Sequence, residues 1–123
     1  MLQGKVVLVL VTNQSSCEKL IREGYKLSSA QNYNLRVLSI LGGKDSKNIE
    51  DTALKRLFSI CKALNADMQV YWGEIVINVA LDYLKRNEIE HLIVGKPEKM
   101  EKGNFVYELH NAFPDMPLMI VTK

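Results

Sequence analysis

The run Lys5-Val6-Val7-Leu8-Val9-Leu10-Val11-Thr12 holds six consecutive apolar residues, four of them valine. A strand with one face in water would alternate apolar and polar positions, so this segment needs cover on both faces and reads as the central strand of a parallel sheet. It opens directly into Asn13-Gln14-Ser15-Ser16. In open α/β sheets small ligands bind just beyond the carboxyl ends of central strands, where the winding reverses, so any site in this chain is expected to begin at Thr12.

Working outward, Ser15 or Ser16 can cap a helix whose inward positions Cys17, Leu20, Ile21, Gly24, Leu27 and Ser28 recur at helical spacing to about Gln31. Asn32-Tyr33-Asn34 is a turn, and residues 35–40 form a second strand closed by Gly42-Gly43. A long helix follows over about 49–65. Its apolar stripe includes Leu57, Phe58, Ile60 and Cys61, with Lys55, Arg56 and Lys62 on the opposite side. Residues 68–72 alternate enough for a third strand near an edge, with Tyr71 and Trp72 packing the rim of the sheet. A third helix over 74–87 turns Ile75, Val76, Val79, Ala80, Tyr83 and Leu84 inward. The apolar strand 91–95 ends in Gly95. A short helix from near Asn104 presents Val106, Leu109 and Phe113 inward and stops before Pro114, and residues 117–122 make the fifth strand.

Strands and helices thus alternate, βαβαβαβαβ, with short links. That pattern calls for a parallel sheet wrapped on both faces and joined by right-handed crossovers. The most apolar strands, the first and fourth, belong in the middle. The expected architecture is therefore one α/β domain over residues 1–123, a doubly wound five-stranded parallel sheet of order 3-2-1-4-5, with the reversal between strands one and four.

Composition narrows the class. With 16 basic and 14 acidic residues the net charge is +2, so no broad cationic field points to nucleic acid. No apolar run approaches the ~20 residues that a membrane-spanning helix needs, and Met1-Leu2-Gln3-Gly4 is too short for a signal peptide, which predicts a cytosolic chain without membrane insertion. Cys17 and Cys61 both fall at inward helical positions, the pattern of buried thiols in a reducing compartment. With little sequence beyond the first and last strands, the chain reads as a small free-standing protein or as a domain of a longer one.

The reversal brings two loops together, Thr12 to Ser16 and Gly95 to Asn104. Each leads into a helix N-terminus, whose unpaired amides and positive dipole end favour a phosphate. Gly95 would let backbone approach a ligand, and Gly103-Asn104 would open a helix with free amides; the same glycines also suit a strand end and a tight turn. Thr12, Asn13, Gln14, Ser15 and Ser16 serve equally as caps or as ligand contacts. Lys96, Lys99 and Lys102 carry charge that would neutralise phosphates, but their alternation with Glu98 and Glu101 better suits a solvated loop. The expected nucleotide site comprises Thr12, Asn13, Gln14, Ser39, Gly95, Lys96, Gly103 and Asn104.

No catalytic constellation or metal site stands out. His91 begins a strand at the end away from the expected crevice, and His110 lies on the polar side of the last helix, so neither has a nucleophile or a metal-ligand cluster to serve. There is no GxGxxG after the first strand and no GxxxxGK[ST] anywhere. The fifth strand, Pro117 to Thr122, exposes backbone at an edge, and pairing with its twin in a two-fold homodimer covers it.

The order of elements, the apolar strand opening into a polar loop, and Val94-Gly95 followed by a loop and Gly103 resemble the universal stress protein family over essentially the whole chain. The stretch 11–24, Val-Thr-Asn-Gln-Ser-Ser-Cys-Glu-Lys-Leu-Ile-Arg-Glu-Gly, is similar to the universal-stress-like domain of Kdp-type potassium-sensing histidine kinases. In nucleotide-binding members an acidic residue ends the first strand and a Gly-x2-Gly-x9-Gly-Ser/Thr loop holds the phosphates. Here Thr12 stands where the acid would be, Glu98 occupies the second glycine's place, and Gly103-Asn104 comes five residues early. These departures resemble the branch that does not hold ATP in the usual manner. Some kinase domains of this kind bind a cyclic dinucleotide, but their serine-rich motif is not evident here. The resemblance implies a non-catalytic stress-response or signalling domain, homodimeric, with ATP or another adenine nucleotide bound weakly and no cofactor required. The alternative is a ligand-free regulatory module of a potassium sensor kinase, with that kinase or another signalling protein as partner.

Overall fold

Hydrogen bonds along the backbone tie five strands into one sheet in the order β3-β2-β1-β4-β5, every neighbouring pair parallel. The computed structural model describes residues 5–11, 17–41, 51–95 and 105–121. In chain order the elements are β1 (Val6–Val11), α1 (Cys17–Gln31), β2 (Asn34–Leu41), α2 (Asp51–Ala63), β3 (Asp67–Trp72), α3 (Val76–Arg86), β4 (His91–Gly95), α4 (Phe105–Ala112) and β5 (Leu118–Val121). Every expected strand and helix is present, and the order is the expected one.

All six residues of β1 are buried, as a strand covered on both faces must be. The pleat sends Val7, Val9 and Val11 to one side, where Leu20 and Ile21 of α1 and Cys61 of α2 meet them. Leu8 and Leu10 go to the other, against Ala80, Tyr83 and Leu84 of α3 and Val106 and Leu109 of α4. Two helices per face make the doubly wound layer structure.

Turn chemistry sets the element ends. Asn32 and Asn65 take positive φ, 58° and 55°, in the turns after α1 and α2, a conformation asparagine tolerates better than most side chains. Gly24 answers a different need. A β-carbon there would collide with the Val9 side chain and stand 3.0 Å from Leu35 Cδ1, so its absence lets α1 lie close on β1 and β2.

Three side chains depart from the expected pattern. Phe58 is 47% exposed instead of lying in the buried stripe of α2, because it stands roughly 110° round the helix from the middle of the packed set Leu57, Ile60 and Cys61. Ile75 is 56% exposed. It is the N-cap of α3, with extended φ −117° and ψ 106°, and so precedes the helical face on which periodicity placed it. Trp72 is 66% exposed, since β3 has no neighbour on its outer side to form a rim. Tyr71, 42% exposed, does pack, edge-on to Tyr83 with ring centroids 5.5 Å apart.

Candidate functional site

β1 and β4 lie side by side, pairing Val7 with His91 and Val9 with Ile93, and both end at the same rim of the sheet. From there the chain leaves to opposite faces: β1 leads to α1 on one side and β4 leads to α4 on the other. In sheets of this kind ligands sit where the connections from adjacent strand ends leave to opposite faces, and the connections concerned, 12–16 and 96–104, lie outside the described residues.

Of the expected site residues, the structure places Ser39 and Gly95. Gly95 closes β4, buried and paired with Val121. Ser39 pairs with Val11, the last residue of β1, and faces the α1 and α2 side with it. At 2% exposure, Ser39 is one of two buried polar residues among those described, and its hydroxyl has no hydrogen-bond partner among the described residues. The other, Ser28, donates to the carbonyl of Tyr25 at 3.1 Å. A buried hydroxyl without a partner costs free energy that a ligand's polar group would recover. Ser39 thus lies buried beside the last residue of β1, with no hydrogen-bond partner among the described residues. Thr12, Asn13, Gln14, Lys96, Gly103 and Asn104 lie outside the described residues, as do Ser15, Ser16, Lys99 and Lys102.

The polar chemistry that sequence reading missed lies at the opposite, amino-terminal half of the sheet. Arg36 Nη1 donates to the Tyr83 hydroxyl at 3.0 Å, and that hydroxyl donates to Gln69 Oε1 at 2.8 Å. Arg36 Nε also lies 3.7 Å from Asp67 Oδ2. Burial raises the pKa of Tyr83, with Arg36 pulling the other way. The available signal was an arginine flanked by apolar residues in β2, with a polar glutamine in β3, the strand beside it. Lys5 caps the same end, 3.8 Å from Glu90 Oε1 and 5.8 Å above the Tyr33 ring, which in turn stacks on His91 at 6.1 Å. Two cavities of about 510 and 600 Å³ open there, both touching Arg36. His91 is thus away from the crevice, as expected, and His110 is exposed on α4.

The thiol of Cys61 is free, buried, and pushed up to about 11, first by burial and then by the charge of Asp67. That protonated state suits packing and not nucleophilic attack. Among the described residues no three His, Cys, Asp or Glu side chains cluster to hold a metal, and no helix is long and apolar enough to cross a membrane.

No family model matches the sequence, and no curated protein is similar to it. Solved structures are. A universal stress protein from Lactobacillus plantarum superposes with a TM-score of 0.68 at 14% identity, over 99% of both chains. The chain has the universal stress protein fold. A universal stress protein in complex with cAMP matches at TM-score 0.70 and 12% identity over 97% of both chains. One from Arabidopsis thaliana with AMP bound matches at 0.63 and 12%, over 97% of this chain and 92% of its own. Within this fold the segment 17–24 has a visible task. Glu18 accepts from Arg22 at 3.1 Å within α1 and from Arg56 of α2 at 2.9 Å, which ties the two helices together and lowers its pKa, Arg56 contributing most.

Proposed function

We propose that the chain is a non-catalytic, cytosolic domain of the universal stress type, acting in stress response or signalling, that binds an adenine nucleotide weakly at the reversal point and pairs with a second copy through β5. The observation that carries the ligand reading is the buried Ser39 beside Val11, the last residue of β1, whose hydroxyl has no hydrogen-bond partner among the described residues. The structural neighbours with AMP and cAMP support the same chemistry. In this reading Thr12, Asn13 and Gln14 flank the base or sugar, Gly95 lets the backbone approach the ligand, and Lys96, Gly103 and Asn104 receive the phosphates on free amides and one ammonium.

Thermal denaturation with AMP, cAMP and ATP tests it. A ligand at 100 times its dissociation constant adds ~2.7 kcal/mol of stability, several degrees in melting temperature for a domain of this size. Ser39→Ala should leave the ligand-free melting temperature within about a degree or raise it, since no described residue bonds its hydroxyl, and should shrink the nucleotide shift. No shift with any of the three at millimolar concentration overturns the nucleotide reading.

A second reading, a ligand-free regulatory module of a potassium sensor histidine kinase, rests on the Glu18-x-Leu20-Ile21-Arg22 start of α1. It becomes the better one if nucleotides leave the melting temperature unmoved while the isolated kinase core binds the chain.

A further inference from the structure

We infer that the outer flank of β3 is a docking site for an extended, acidic segment of another protein, which adds to the sheet as a sixth strand. Among the described residues β3 pairs with β2 alone, so its other side presents a row of backbone donors and acceptors that no described strand pairs. Natural edges are usually blunted by lysine, proline or a bulge within the strand. The sequence Asp67-Met68-Gln69-Val70-Tyr71-Trp72 contains neither residue, and it ends in two exposed aromatics. The chain's one tryptophan is therefore spent on a surface position, and exposed Trp and Tyr are the side chains that most often anchor partners.

The flank above this edge is fixed by the bond from Arg56 to Glu18, which sets the Arg56 side of α2 against α1. At about 100° per residue, Phe58 and Lys62 stand roughly 200° and 240° round the helix from Arg56, and Lys55 about 100° behind it, so all three turn away from α1. α1 packs over β1, β2 and β4 whereas α2 reaches β3, so away from α1 means toward the open edge. Trp72 shares that face of the sheet with Met68. The flank therefore combines Phe58 and Trp72, 47% and 66% exposed, with two lysines.

Charge decides the occupant. Arg22, Lys26, Arg56 and Arg86 each hold a carboxylate within 4 Å, but Lys55 and Lys62 have no acidic partner among the described residues. Asp67 is engaged by Arg36, and Glu74 lies beyond the strand's end. A second copy added by a two-fold axis would lay α2 beside α2 on one face and set four lysines together, which like-charge repulsion disfavours. An acidic strand meets no such penalty, and backbone pairing with alternate side chains in flanking pockets is the usual mode of strand addition. The site is two strands from the crevice and independent of any nucleotide.

The test uses the full chain, isotope-labelled, titrated with a capped six-residue peptide alternating glutamate and valine, and with its lysine counterpart. The expected result is a shift of the amides of residues 67–72, a blue shift of Trp72 fluorescence, and binding of the glutamate peptide at least ~10-fold tighter than the lysine one, a gap of about 1.4 kcal/mol. The preference should narrow at high salt, where screening shortens to ~3 Å at 1 M, and reverse in Lys55→Glu/Lys62→Glu, two exposed positions that tolerate change. Equal binding of both peptides, shifts confined to β5, or no saturable shift by about 1 mM peptide overturns the proposal. So does a dimer that Trp72→Lys dissociates, which would make the occupant a second copy.

Discussion

Cys61 lies on the inner side of α2 at 2% exposure, and its pKa stands at about 11 against an ordinary 9.0. The raised value means that the folded chain keeps a proton the unfolded chain releases. Below pH 9.0 both states hold it and stability is unaffected. Between 9.0 and about 11 the unfolded state holds fewer protons, so stability falls as pH rises through that window. In a Cys17→Ser background, the rate at which Cys61 reacts with a thiol reagent at pH 8 should follow the rate of opening and rise steeply only near the melting temperature. Fast labelling of the folded protein would contradict this burial. Gly24 gives a second residue-scale expectation. Alanine gains ~1 kcal/mol of helix propensity, but its β-carbon runs into Val9, a stiff, fully buried side chain that cannot yield, and overpacking costs ~1–3 kcal/mol. Gly24→Ala should therefore lower the melting temperature. Combined with Val9→Ala it should cost less than the two changes summed, because the second makes room for the first.

At the scale of elements, the bond chain from Arg36 through Tyr83 to Gln69 joins β2, α3 and β3 at one point. Tyr83→Phe keeps the ring and its edge-on contact with Tyr71 while leaving a guanidinium and an amide oxygen short of a partner. The expected cost is ~1–3 kcal/mol, a drop in melting temperature of several degrees with the fold unchanged by circular dichroism. No drop would mean that water replaces the hydroxyl freely. This junction also marks the boundary of what local sequence could convey. The six apolar residues of β1 place it centrally because a strand without alternation admits no other position, and Asn32 and Asn65 announce their turns. Arg36 and Tyr83 stand 47 positions apart, and no periodicity links them. Phe58 fails for a related reason. A helical stripe records which residues are apolar but not how wide the packed face beneath is, and here that face takes Leu57, Ile60 and Cys61 and leaves Phe58 out. The reversal between β1 and β4 was legible, because it follows from strand hydrophobicity. Ser39 was legible only as a position beside the end of β1, since the lack of a partner for its hydroxyl among the described residues is a tertiary fact.

At the scale of the molecule, the sheet has two open edges that differ in kind. β3 is six residues long and ends in two exposed aromatics, with Lys55 and Lys62 of α2 having no acidic partner among the described residues; β5 is four residues long, with Met119 and Ile120 40% and 38% exposed, one on each face of the sheet. Uncharged apolar residues on both faces suit a self-complementary partner, because a two-fold axis then buries like against like without repulsion. Four residues of strand cannot by themselves reach the ~1,200–2,000 Å² of a stable interface, so the proposed pairing would also have to draw on residues beside the strand, and its strength would be concentration-dependent. Light scattering should find a dimer that dilution dissociates. Ile120→Lys places a charge where the twin edge must approach and should yield a monomer with unchanged secondary structure, whereas Trp72→Lys should leave the dimer intact. A wild-type chain that stays monomeric as concentration rises would remove β5 from the assembly. A dimer that survives Ile120→Lys but not Trp72→Lys would exchange the roles of the two edges, and with them the assignment of β3 to an acidic partner.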